Sequence, residues 1–209
     1  MEFTLRKIWI REKGSAVQKY FIGPQGYLDA EAESPVRHEY VAAEVLEVPE
    51  PSLEHEIICV NLLSALKVAS RGAHFRPYGS NLKVSAGGAF LYPDVSVFNG
   101  SPVLFEGLAA TFVNPIAILE VFSSATENFD RGTKFWRYRK IESLQIYVTV
   151  AEDYPEVMLH ERHEGCWILT EFKNLADSVE IPSLGISLSL AEIYEAVAFP
   201  LSDATVVDS

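Results

Sequence analysis

A mixed α/β sheet flanked by helices is the fold class that this 209-residue sequence predicts, and three observations carry the prediction. A helix-spaced apolar face follows Ser52. The run Pro115 to Phe122 is apolar on both strand faces, as a central strand of a covered sheet requires. That run, a helix and a second β-rich run then follow one another in the order of a parallel crossover.

Residues 1–26 are expected to form an N-terminal extension packed on the core, with short peripheral strands around Ile8 and Ile10 and over Tyr20–Ile22. Tyr40 to Val48 reads as one strand by its valine and leucine content, ended by Pro49-Glu50-Pro51. A helix begins at Ser52, and Ile58, Leu62, Leu66 and Ala69 recur at the spacing of one buried face. His55 lies one turn before Ile58 and so points to the same side.

Leu82 to Ser85 and Phe90 to Phe98 read as a hairpin turned at Gly87-Gly88, where glycine supplies positive φ. Within the second strand, Asp94 alternates with Tyr92, Ser96 and Phe98 on one face. Asn99 to Asn114 reads as a loop, and Pro115 to Phe122 is the central strand, with Glu120 its single charge. Ser124-Ala125-Thr126-Glu127 matches a capping box opening a helix that runs to about Ile141, with Lys134 in its middle. Gln145 to Ala151 is the strand that completes the crossover. Val157 to Glu161 and Trp167 to Phe172 form a hairpin turned at Glu164-Gly165, and Leu190 to Val197 a last short helix.

Composition narrows the function. No apolar run reaches the ~18 residues of a membrane helix, and the first residues lack a signal peptide's apolar stretch, so a cytoplasmic protein without membrane contact is expected. Cys59 and Cys166 are isolated and read as packing residues. The net charge of −12 opposes a polyanionic partner, but it is unevenly spread. Residues 151–209 carry 12 acidic and 2 basic side chains, whereas residues 1–150 are close to neutral. Arg131, Lys134, Arg137, Arg139 and Lys140 offer a local basic face, or simply a solvated helix surface. His160 and His163, three apart on a strand, point to opposite faces and do not suggest a zinc site.

Asp94 and Glu120 each place a carboxylate among apolar neighbours, where ionisation is costly without a cation, a hydrogen-bond network or a proton. Adjacent strands can bring the two together, and all-oxygen ligation at an open site suits Mg²⁺, with Mn²⁺ as the alternative. Lys134, reaching in from the following helix, can stabilise charge developing on a phosphate. Other readings stay open on the residues alone: Glu120 in a structural salt bridge with Arg131, Lys134 or Arg137, and Asp94 as a strand-edge cap.

Taken in order, Arg37-His38-Glu39-Tyr40-Val41-Ala42-Ala43-Glu44-Val45, Tyr92-Pro93-Asp94-Val95, Leu119-Glu120-Val121-Phe122-Ser123, Asp130-Arg131-Gly132-Thr133-Lys134 and Tyr138 resemble the Uma-two-type restriction endonucleases of the PD-(D/E)XK nuclease superfamily. The likeness runs from Tyr27 to Tyr194. It implies a restriction-endonuclease-like domain over residues 27–198, with extra N- and C-terminal strands and a flexible tail over 199–209. It also implies a Mg²⁺-dependent endonuclease acting on DNA, with Asp94 and Glu120 as metal ligands, Lys134 and Glu44 as further catalytic groups, and His55, Arg131 and Tyr138 toward the substrate. A homodimer would serve to cut both strands together.

Two departures stand out. Phe122 occupies the place where the simple motif has its lysine, so Lys134 is the expected substitute, and Ala43 stands where the family usually has glycine. Two competing functions follow: a catalytically silent nuclease-fold module that binds nucleic acid or protein, and a nuclease for RNA or a small nucleotide.

Overall fold

The computed structural model describes residues 23–106, 108 and 110–200, so the strands expected before Ile22 and most of the expected tail lie outside the described residues. The first element among the described residues is helix α1 (Pro24–Ala32), whose proline sits in the first turn, where its missing N–H costs nothing. Strands β1 (His38–Val41) and β2 (Glu44–Glu47) pair antiparallel across Ala42-Ala43. Both alanines have positive φ, 54° and 65°, as a two-residue hairpin turn of the I′ kind demands. The single strand expected over Tyr40–Val48 is therefore a hairpin, and the reason it escapes notice is that alanine is a poor marker for such a turn.

Helix α2 (Leu53–Ala69) begins where expected: the Ser52 hydroxyl accepts the His55 N–H at 3.0 Å. Ile58, Leu62 and Leu66 are fully buried, each contributing about 1.5–3 kcal/mol of transfer free energy, while Ala69 is exposed. Strand β3 (Phe75–Gly79) follows, and then β4 (Lys83–Ala86) and β5 (Ala89–Leu91) form the expected glycine-turned hairpin. Its second strand does not continue to Phe98. The backbone breaks at Tyr92-Pro93-Asp94, and β6 (Val95–Asn99) resumes in a different sheet. Proline lacks the N–H that an unbroken ladder would need. The loop after β6 holds the two-residue strand β7 (Thr111–Phe112), parallel to β4.

Strand β8 (Pro115–Phe122) is the central strand expected, paired antiparallel with β6 and parallel with β9 (Ile146–Ala151). Between them the helix is short and unusually wound: a π-helical segment, Phe129–Lys134, runs into helix α3 (Phe135–Tyr138). The capping box does not form. The Ser124 hydroxyl donates to Asp153 instead, and Thr126 Oγ1 accepts the Ser123 N–H. Strands β10 (Val157–His163) and β11 (Cys166–Phe172) make the hairpin expected at Glu164-Gly165, and Cys166 is exposed there rather than packed. A final hairpin, β12 (Ser178–Ile181) with β13 (Ile186–Ser189), leads into α4 (Leu190–Ile193).

The result is the mixed α/β architecture expected. A six-stranded sheet has the order β11-β10-β9-β8-β6-β3, and a five-stranded sheet the order β2-β1-β5-β4-β7. One face of the large sheet packs Val95, Val97, Leu119, Val121 and Val148 against the apolar stripe of α2. The other face packs Ile118 and Tyr147 against Tyr138 and the small-sheet residues Val41, Val84 and Leu91. Glu120 shares strand parity with Ile118, so it points into the space between the two sheets and α3. No helix among the described residues is long and apolar enough to cross a membrane.

Candidate active site

Four elements converge on the space that Glu120 enters. From β8, the Glu120 side chain is 1% exposed, a burial that its charge could not sustain alone. Its Oε2 lies 3.2 Å from Lys134 Nζ, and its Oε1 accepts the Tyr138 hydroxyl at 2.8 Å. The π-helical segment aims Lys134 inward, and the ammonium also lies 3.0 Å from Asp130 Oδ1 and 3.4 Å from Glu39 Oε1. A short π-wound stretch of this kind is frequent at functional sites.

Asp94 sits where the chain crosses from the small sheet to the large one. Its Oδ2 accepts the backbone N–H of Val121 at 2.8 Å, which locks the carboxylate beside Glu120, and its Oδ1 lies 3.1 Å from His55 Nε2. The other ring nitrogen of His55 faces Glu152 Oε2 at 3.6 Å. Glu39 accepts the Tyr92 N–H at 3.0 Å, and the Tyr92 hydroxyl donates to Glu31, which also receives the His38 N–H. Helix α1, strand β1 and the crossing are thereby tied into one frame.

The electrostatics follow from this crowding. One ammonium faces three buried carboxylates, so the cluster carries more negative charge than it can neutralise. Burial first, and then the charges of Asp94, Asp130 and Glu39, push the Glu120 carboxyl well above its usual range despite Lys134. Burial likewise raises Glu39. For Lys134 burial pulls downward, but Glu120, Glu39, Asp130 and Asp94 outweigh it, so the amine stays protonated. Asp94 is the exception among the acids: burial would raise it, and the His55 hydrogen bond, the His55 and Lys134 charges and the Val121 N–H bring it below the ordinary value.

Of the residues singled out in the sequence, Asp94, Glu120, Lys134, His55 and Tyr138 come together. Tyr138 is wholly buried and touches Glu120, so it positions that carboxylate. Arg131 is paired with Glu127 and Glu156 at the margin. Glu44 is exposed at the start of β2, directly across from Val41 and therefore on the same sheet face as Glu39. The acid of that hairpin that reaches Lys134 is Glu39.

Glu39 and Asp130 escape a reading of the sequence, although each leaves a trace. Glu39 is a charge inside a buried four-residue strand, the same signal that picked out Glu120. Asp130 lies four residues before Lys134, the spacing of a helical ion pair.

Buried carboxylates in excess of their counter-charge are offset by a further cation or by a proton. Each carboxylate oxygen that accepts one hydrogen bond keeps a second lone pair, so Asp94 and Glu120 retain ligating capacity for a hard, oxygen-seeking ion.

Comparison with known proteins fits this geometry. Residues 24–191 match the Uma2 family, described as "Putative restriction endonuclease". The chain is 29% identical over 182 residues to the uncharacterized protein slr1290 of Synechocystis sp. (strain ATCC 27184 / PCC 6803 / Kazusa), which covers 85% of this chain and 94% of that relative. A second uncharacterized protein of the same organism, sll1609, is 25% identical over 158 residues, covering 74% and 88%. Among solved structures, a "putative nuclease belonging to DUF820" from Anabaena variabilis aligns with a TM-score of 0.70 and 19% identity, over 83% of this chain and 97% of that one. At that identity the likeness is one of fold.

Proposed function

Because the chain belongs to the Uma2 family of restriction-endonuclease-like proteins, we propose that it is a metal-dependent endonuclease that hydrolyses phosphodiester bonds, with DNA as its substrate class. The observation that carries this reading is the Lys134 ammonium 3.2 Å from Glu120 in a buried, over-acidic cluster beside Asp94. Asp94 and Glu120 would hold Mg²⁺ or Mn²⁺. Such an ion supplies a Lewis acid and a bound water of lowered pKa.

The protein's own groups do the rest. Lys134, kept charged by its acidic neighbours, cannot serve as a proton acceptor, so its part is to stabilise negative charge on the phosphate in the transition state. Tyr138 fixes the Glu120 carboxylate, and the Val121 N–H fixes that of Asp94. Glu39 and Asp130 hold the Lys134 amine in place. Cutting both strands of a duplex together requires two such sites, which a homodimer would supply.

The test is cleavage of plasmid and single-stranded DNA with Mg²⁺ or Mn²⁺, beside Asp94→Ala and Glu120→Ala. Activity in the parent protein and its loss in both variants is the expected result. Cleavage that survives both substitutions removes this site from the reaction. A folded protein that binds nucleic acid without cutting would point to the silent-module reading, in which the contacts of Lys134 with Glu120, Glu39 and Asp130 serve as a structural ion-pair cluster.

A further inference from the structure

Beside Asp94, helix α2 brings a different donor set. His55 and Cys59 stand four residues apart on α2, and their ligating atoms lie with an Asp94 oxygen within 4.8 Å of one another. His55 Nε2 and Asp94 Oδ1 are already 3.1 Å apart. Ligand atoms around a tetrahedral Zn²⁺ stand about 3.5 Å apart, given bonds of about 2.0–2.3 Å, so a small rotation of the Cys59 and His55 side chains would close the triad.

A second, independent feature supports ligation. His55 Nδ1 faces Glu152, and the Ser52 hydroxyl in turn donates to Glu152 at 3.1 Å. A carboxylate behind the far nitrogen is the usual support of a metal-binding histidine, and Glu152, 3.6 Å from Nδ1, stands where a small approach would give the hydrogen bond that holds the ring with Nε2 free. Burial, and after it the charges of Asp94, Glu56, Glu120 and Glu152, push the Cys59 thiol up, so it keeps its proton until a metal displaces it, while the same acids attract a cation.

We propose that His55, Cys59 and Asp94 form a second metal site, selective for a soft or borderline divalent ion of the Zn²⁺ class, whose occupation takes Asp94 away from the nuclease ion. Thiolate and imidazole donors prefer such ions to Mg²⁺. On binding, the Cys59 thiol releases its proton to solvent as the sulfur–metal bond forms. The Nε2 proton that His55 shares with Asp94 is likewise released while the ring keeps its proton on Nδ1 toward Glu152, and the hydrogen bond between His55 and Asp94 gives way to two metal bonds. The consequence is inhibition by Zn²⁺, and that half rests on the nuclease reading above.

Cobalt substitution tests the site without reference to cleavage. The full chain, reduced and metal-free, is titrated with Co²⁺ and its absorption recorded. A sulfur-to-cobalt charge-transfer band of one equivalent is expected, removed by competing Zn²⁺, absent in Cys59→Ser and Cys59→Ala, and retained in Cys166→Ser and Glu120→Ala. Glu152→Gln should weaken Co²⁺ binding about tenfold. No band in the parent protein, a band that survives both Cys59 substitutions, or one that Cys166→Ser removes overturns the proposal.

In a parallel arm, Zn²⁺ at the level that displaces cobalt should slow Mg²⁺-supported plasmid cleavage at least about tenfold. Undiminished cleavage overturns the inhibitory half. A cobalt band in a protein that never cleaves refutes the nuclease reading and leaves the site standing. Cleavage without a band does the reverse.

Discussion

Lys134 is the counter-charge to a group of buried acids. Its ammonium touches Glu120, Glu39 and Asp130, and all three acids are buried. Replacing it with methionine leaves those acids without a counter-charge, so Lys134→Met should cost about 3–5 kcal/mol in denaturant unfolding. Adding Glu39→Gln to that variant removes one of the stranded charges. The double substitution should recover about 1 kcal/mol or more, and strict additivity would mean that the two groups do not share a cluster. In cleavage assays Lys134→Met should lower kcat about 10²–10³-fold if the amine stabilises the transition state as proposed.

A second residue-scale prediction concerns acid. His160 is buried against the rings of Phe135 and Tyr147, and its Nδ1 has no hydrogen-bond partner among the described residues. Burial lowers its pKa, overriding a backbone hydrogen bond with Tyr147. The unfolded chain therefore takes up a proton at His160 near pH 6.5, before the folded one does, and acid favours unfolding. Stability should fall below about pH 6.5 by up to about 1.4 kcal/mol per pH unit from this group. Unfolding curves of His160→Phe between pH 5 and 7 should show a shallower slope; an unchanged slope would place the sensitivity elsewhere.

At the scale of elements, the β1–β2 hairpin stores strain that the chain could shed. Ala42 and Ala43 both adopt positive φ, which costs a residue with a Cβ about 1–2 kcal/mol. Ala43→Gly should stabilise the protein by about 0.5–1 kcal/mol, after the greater freedom that glycine gives the unfolded chain is subtracted. A destabilised variant in thermal or chemical unfolding would show that the alanine methyl contributes packing that outweighs the strain.

The elements that could be read in advance are those whose evidence is local. Ser52 caps α2, β8 announces itself by an apolar run around one charge, and Glu164-Gly165 marks a turn. What stayed hidden depends on distant parts of the chain. The break at Tyr92-Pro93-Asp94 follows from the existence of two sheets, and β12–β13 are four-residue strands with no pattern long enough to register. The π-helical winding around Lys134 has no side-chain cap to mark it, and the Tyr138–Glu120 contact it serves joins residues 18 apart. For the same reason Glu39 could be seen as a buried charge but not as a partner of Lys134.

For the molecule as a whole, an ion that binds the folded cluster and not the open chain must raise stability. Mn²⁺ at a hundred times its dissociation constant should add about 2.7 kcal/mol to unfolding, and Asp94→Ala should abolish the gain. An equal gain in that variant would mean that the ion binds elsewhere.

The crossing at Tyr92-Pro93-Asp94 has a mechanical meaning as well. Glu39 belongs to the small sheet, Glu120 to the large one, and Asp94 to the segment that joins them. The spacing of the acids is therefore a reading of how far apart the two sheets stand. The apolar seam of Val41, Leu91, Ile118 and Tyr138 fills that gap, so the cluster is a caliper on the core beneath it.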